Sequence, residues 1–145
     1  MRLRGSGRIT RSPIDPAAVL ALVRDPSAGG TVIFLGTIRN RSGGRAVRGL
    51  EYEVYREMAE KRLIAIEKRV RAKWPVRKMA MVHRYGRLKV GEVSVAVAVS
   101  SEHRAEAFEA ARYAIDAIKR TLPLWKKEVL ARGEASWVKG EPIEG

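Results

Sequence analysis

Cysteine is absent from the 145 residues. That excludes disulfides, thiolate zinc sites, iron–sulfur clusters and a cysteine nucleophile together. Histidine is nearly absent too: only His83 and His103 occur, so no histidine-rich metal site is expected, and no cofactor. Aromatic residues make up 6% of the chain. No RNA-recognition, zinc-finger or helix-turn-helix signature accompanies them, which argues against a nucleic-acid-binding module. No apolar run approaches the roughly 20 residues needed to cross a bilayer. The start, Met1-Arg2-Leu3-Arg4-Gly5-Ser6, is basic but lacks the apolar stretch of a signal peptide. No membrane partner is expected, and the expected location is the cytoplasm. Any chemistry must come from Lys, Arg, Ser, Thr, Tyr, Asp or Glu.

What the sequence has in excess is positive charge, +13 net at neutral pH. Such an excess points to an anionic partner: nucleic acid, a phosphorylated small molecule or an acidic protein. A well-solvated basic surface explains it equally. The hydrophobic share of 46% against 31% charged residues is that of an ordinary globular protein. The length suits one domain over residues 1–145. Residues 1–12 read as a flexible lead or a short strand, and 139–145 as a tail.

Asp15-Pro16 has the form of an N-cap followed by proline at the first helical position, opening a helix that runs to about Arg24. Thr31-Val32-Ile33-Phe34-Leu35 is a near-continuous apolar run and reads as a buried strand. A polar loop from Arg39 to Arg45 follows. Leu50, Tyr52 and Val54 then alternate with Glu51 and Glu53, as in a half-buried strand. From Arg56 to Trp74 the positions Ala59, Leu63, Ile66, Val70 and Trp74 fall at helical spacing, and Pro75 ends the run. Strands are expected around Lys78–Arg84 and Glu92–Ser100. The second places Val93, Val95, Val97 and Val99 on one face and Ser94, Ala96 and Ala98 on the other, where a helix could lie close. Ser101 is read as the cap of a long helix with the stripe Phe108, Ala111, Ile115, Ile118 and Leu122, broken by Pro123. Trp125–Leu130 and Ala135–Lys139, joined through Arg132-Gly133-Glu134, are expected to form a final hairpin. Strands and helices mix without strict alternation, so the expected fold class is α+β with a mainly antiparallel sheet and packed helices.

Basic residues cluster at the ends of these elements. Arg39, Arg41 and Arg45 lie near Gly43-Gly44, a loop that could bring backbone and guanidinium groups against a phosphate or could simply face solvent. His103 and Arg104 sit in the first turn of the long helix, where unpaired N–H groups favour an anion; two exposed side chains tolerated there are the plain alternative. Lys119 lies near that helix's C-terminus, and Lys126-Lys127 just beyond Pro123. Lysine at a helix C-terminus is stabilised by the dipole and needs no function. Lys119 also flanks Ile115 and Ile118, and a lysine crowded by cations can serve as nucleophile or general acid–base. Trp74, Phe108, Met79 and Met81 sit at core periodicities. Glu51 and Glu53 read as a solvated face, and His83 as a strand-end residue without a ligand partner near it in sequence.

The clusters fall inside longer strings: Gly36-Thr37-Ile38-Arg39-Asn40, Leu50 to Met58, His83-Arg84-Tyr85-Gly86-Arg87-Leu88, Ser101 to Ala110, and Pro123-Leu124-Trp125-Lys126-Lys127-Glu128. In this order they resemble the molybdopterin synthase large (catalytic) subunit family, from about Gly30 to Val138. The resemblance implies an α+β fold of hammerhead type with a small hairpin region. It implies a sulfurtransferase of molybdenum-cofactor synthesis, which takes sulfur from a thiocarboxylate on the C-terminal Gly-Gly tail of a small ubiquitin-like partner. Two sulfurs pass to a cyclic pyranopterin monophosphate, giving molybdopterin. It further implies a homodimer within a heterotetramer. Carried over by motif position, Lys119 and Lys126 are the candidate catalytic lysines. Thr37, Ile38, Arg39, His103, Arg104, Lys127 and Glu128 match substrate-binding segments. Many relatives have histidine where Arg41 stands. Two other readings remain beside this one, a basic nucleic-acid-binding module and a non-catalytic scaffold for a small acidic protein.

Overall fold

The computed structural model describes residues 7–130 and 135–138. Its elements in chain order are β1 (Gly7–Thr10), α1 (Pro16–Leu22), β2 (Gly30–Thr37), β3 (Arg41–Ser42), β4 (Arg45–Val54), α2 (Arg56–Lys73), β5 (Val76–Arg84), β6 (Gly86–Lys89), β7 (Val93–Ser101), α3 (Arg104–Thr121), β8 (Leu124–Leu130) and β9 (Ala135–Val138). The class is α+β, as expected. One sheet has the order β1-β5-β7-β2, with β1 parallel to β5 and the other pairs antiparallel. The second has the order β3-β4-β8-β9, with β6 also on β4, and all its pairs are antiparallel.

The first sheet carries the main core. Val95, Val97 and Val99 on β7, with Met79 and Met81 on β5, pack against Leu63, Ile66 and Val70 of α2 and the alanine-rich face of α3. Burying each such aliphatic side chain contributes about 1.5–3 kcal/mol. On the sheet's other face Ala96 and Ala98 leave room for α1, whose Val19 is completely buried. The short helix starts as expected: the Asp15 carboxylate accepts from the Ala17 N–H, and Pro16 follows the cap. A third cluster of Ile38, Tyr52 and Leu88 fills the junction between the sheets.

Several expectations are corrected. The apolar run from Thr31 to Leu35 is a strand but not a buried one. Among the described residues β2 pairs only with β7, so it forms a sheet edge with half-exposed side chains, and Leu35 is 36% exposed. Phe108 is not core: it is 61% exposed, because α3 turns Ala107, Ala110, Ala111 and Ala114 inward instead. Ser101 does not cap α3. It ends β7, its hydroxyl donates to the His103 carbonyl, and His103 occupies the cap position without a side-chain bond. The loop from Arg39 to Arg45 contains a hairpin, β3 to β4, whose two turn residues Gly43 (φ 57°) and Gly44 (φ 79°) supply the positive φ angles that such a tight turn demands. Val93 leaves the face of Val95. Thr37 pairs with Val93 and Gly36 with Val95, so Ser94 is an extra residue that bulges the strand. The final hairpin forms between β8 and β9; its connection through residues 132–134 and its end at Lys139 lie outside the described residues, as do the outer lead and the tail. Among the described residues no helix is long and apolar enough to cross a membrane.

Candidate active site

The Ser94 bulge lies beside a small cavity where the two sheets and α3 meet. Gly36, Thr37 and Arg39 bring the end of β2 to it, Arg41 and Tyr52 come from the β3–β4 hairpin, His83 from β5, Ser94 from β7, Lys119 from α3, and Lys126 with Glu128 from β8. The cavity encloses about 50 Å³, little more than one or two water molecules occupy in bulk. Four of its lining side chains are cationic (Arg39, Arg41, Lys119, Lys126) and one, Glu128, is acidic.

Local geometry explains each placement. Lys119 stands in the last turn of α3, where the helix dipole favours a cation, and its side chain is half-buried. Lys126 and Glu128 alternate on one face of β8, so both point to the cavity. They stand opposite Tyr52 and Leu50 of β4. Glu128 is 5% exposed, and a carboxylate that deep belongs beside cations. Arg39 and Arg41 are exposed at the rim, and Arg41 donates to the Gly44 carbonyl at 3.2 Å across its own turn.

Of the residues singled out by sequence, the fold therefore brings together Thr37, Arg39, Lys119, Lys126 and Glu128. It leaves four elsewhere in the single chain. Ile38 is buried in the junction core with Tyr52 and Leu88. Lys127, on the opposite face of β8 from Lys126, stands in register with Glu51. His103 and Arg104 are exposed at the far end of α3, with His103 Nε2 3.6 Å from a Glu102 carboxylate oxygen. At 1.5 Å per residue, Arg104 and Lys119 are roughly 22 Å apart along the helix.

Three buried polar lining residues were not among the candidates. His83 is 2% exposed, and its Nδ1 meets the Arg84 carbonyl at 2.9 Å. Burial pushes its pKa down to about 4, the Arg84 bond opposing. The Tyr52 ring meets it edge-on, centroids 5.3 Å apart. Burial raises the Tyr52 phenol above its ordinary value, and the Ser94 hydroxyl beside it opposes that rise. Ser94 in turn donates to the Gly36 carbonyl at 3.2 Å. His83 and Tyr52 lay in the strings beginning His83-Arg84 and Leu50-Glu51, which carried no role for them, and Ser94 lay in none. Among the described residues no group of three or more His, Asp or Glu side chains could hold a metal ion.

The fold and the cavity define a class: an α+β protein with a partly enclosed, lysine-bearing cavity suited to an anionic ligand. Comparison with known proteins narrows it. The model of the MoaE protein family matches residues 9–121. The molybdopterin synthase catalytic subunit of Halalkalibacterium halodurans is 43% identical over 136 residues, covering 94% of this chain and 86% of that protein. The crystal structure of molybdopterin synthase from Staphylococcus aureus superposes with a TM-score of 0.84 at 37% identity, over 89% of this chain and 93% of that one. A complex of subunits 1 and 2 of molybdopterin-converting factor from Helicobacter pylori shares the fold, with a TM-score of 0.75 at 18% identity over 92% and 90% of the two chains. The chain belongs to the MoaE family, the family of molybdopterin synthase catalytic subunits.

Proposed function

We propose that Lys119 and Lys126 are the catalytic lysines with which this chain transfers sulfur in molybdopterin synthesis. The donor is the thiocarboxylate at the C-terminal Gly-Gly tail of a small ubiquitin-like partner, and the acceptor a cyclic pyranopterin monophosphate. The observation that carries the reading is that Lys119 of α3 and Lys126 of β8, from separate elements, line one cavity with Thr37, Arg39 and Glu128.

The chemistry suits these groups. In each transfer the thiocarboxylate sulfur bonds to a pterin side-chain carbon as a carbon–oxygen bond there breaks, and water then cleaves the sulfur–acyl bond, leaving the partner's tail as a carboxylate. The thiocarboxylate needs nearby cations to hold its charge, and the departing oxygen needs a proton, which a lysine N–H can give. Arg39 and Arg41 at the rim offer the planar donors that bind phosphate well. No thiol on this chain is required. Family membership disfavours the nucleic-acid-binding and scaffold readings.

We further propose a homodimer within a heterotetramer, with His103 and Arg104 of one subunit completing the cavity of the other. The cavity of a single chain, about 50 Å³, is far below the roughly 300–1,000 Å³ of a small-molecule site. It adjoins an open groove lined by Val32, Phe34, Phe108, Arg112, Ile115, Asp116 and Lys119. Exposed Phe108, and Arg112 close to Asp116, make that groove both apolar and self-complementary in charge, as a two-fold contact requires.

The test is sulfur transfer with purified chain, thiocarboxylated partner and cyclic pterin precursor, quantifying dithiolene product beside Lys119→Ala. Product from the wild type with a loss of about a hundredfold or more in the variant is expected. An inactive wild type, given a competent partner and folded chain, would defeat the reading.

A further inference from the structure

The lining of the cavity is graded. Arg39 and Arg41 are exposed and Lys119 and Lys126 half-buried, whereas His83, Tyr52 and Ser94 are 2%, 4% and 6% exposed. The deepest lining groups are the uncharged His83, Tyr52 and Ser94 together with the Glu128 carboxylate, which is 5% exposed. The His83 ring has a fixed tautomer, because a carbonyl only accepts: Nδ1 must carry the proton it donates to Arg84 O. Nε2 then keeps its lone pair. The Arg84 bond and the edge-on contact with Tyr52 are the ring's partners among the described residues, and neither engages Nε2. Nε2 is not among the buried polar atoms that lack a partner, so it is open to the cavity and available to a ligand's donor.

We propose that His83 is a specificity-determining residue of this cavity, its Nε2 accepting a hydrogen bond from an N–H of the substrate's heterocycle. The inference rests on the reading of the cavity as a pterin site and divides the recognition. Cations at the rim and walls hold the anionic groups, and His83, deep in the lining, reads the ring. Tyr52 holds the imidazole plane edge-on, and Ser94, turned inward by its bulge, fixes Tyr52. A protonated His83 could not serve, since both nitrogens would then donate; burial keeps the ring neutral near pH 7. A cavity that hydrogen-bonds an N–H rejects an otherwise similar ring lacking it, because Nε2 is then left unpaired.

The experiment compares wild type, His83→Phe and His83→Gln in pterin binding and in steady-state sulfur transfer. Glutamine retains both a donor for Arg84 O and an acceptor. His83→Phe should raise KM and Kd for the pterin precursor about tenfold to a hundredfold, leave KM for the partner protein unchanged and reduce kcat less. His83→Gln should restore most of the binding. In wild type, the nitrogen resonance of the unprotonated Nε2 should shift on adding the precursor, a change that a purely structural residue would not show. An unmoved Nε2 resonance, or both variants binding like wild type, overturns the inference while wild-type turnover leaves the functional reading intact. If His83→Phe fails to fold, the glutamine variant and the resonance decide. A wild type that neither binds nor converts the precursor overturns both.

Discussion

A neutral, buried histidine makes stability depend on pH. Folded, His83 takes up a proton only near pH 4, whereas its ordinary value is 6.5. Between those values the unfolded chain binds the extra proton, so stability rises with pH. The contribution is fully present above about pH 6.5 and is lost as pH falls towards about 4, at most about 3 kcal/mol in all. Urea unfolding of wild type and His83→Gln at about pH 5 and pH 7.5 checks this, because subtracting the variant removes the other titrating groups. Wild type should lose more stability on acidification than the variant; parallel losses would mean the ring is not held neutral. The same residue marks what could be read from sequence. Lys119 and Lys126 were accessible because a basic residue at an element's end is visible in the string itself. The company of His83 was not, since Tyr52 and Ser94 are distant in sequence and reach it only through strand register and a bulge.

Element types and most of their limits were legible from periodicity: α2 and α3 follow the apolar stripes, and the alternation of β4 survives from Tyr52 to Val54, though Leu50 and Glu51 are both half-buried. Exposure at the edges was not. A continuous apolar run such as Thr31 to Leu35 has the same signature in a central strand and in an edge strand, and β2 is the latter. Phe108 misled for a related reason, since α3 packs through its alanines and keeps its large aromatic outside. The β3–β4 hairpin was hidden by glycines that served equally well as a ligand-binding loop. β4 also contains a position where only glycine fits. A Cβ on Gly49 would stand 2.4 Å from the Leu88 carbonyl oxygen of β6, a backbone atom that cannot rotate away. Gly49→Ala should therefore destabilise the chain by about 1–3 kcal/mol. Chemical denaturation measures it, and an unchanged midpoint would show that β6 yields without cost.

At the scale of the whole molecule, the charge of +13 fitted an anionic partner and a well-solvated basic surface equally. The fold places four of those cations around one cavity yet keeps Arg104 at the other end of α3. In the proposed dimer a two-fold axis near the middle of the exposed α3 face would resolve that separation: it would set α3 against its copy in the opposite direction and bring Arg104 of one subunit towards Lys119 of the other. The consequence is quantitative. Arg104→Ala and Lys119→Ala homodimers should each be nearly inactive, because both of their sites lack one group. A hybrid dimer has one site missing both groups and one site intact. With free exchange of equal amounts, half the dimers are hybrids and half of their sites work, so activity should recover to about one quarter of wild type. Sulfur transfer after a demonstrated exchange of differently tagged subunits measures this. If Arg104 and Lys119 instead served the same subunit's site, no mixture could restore an intact one, and activity would stay at the level of the separate variants.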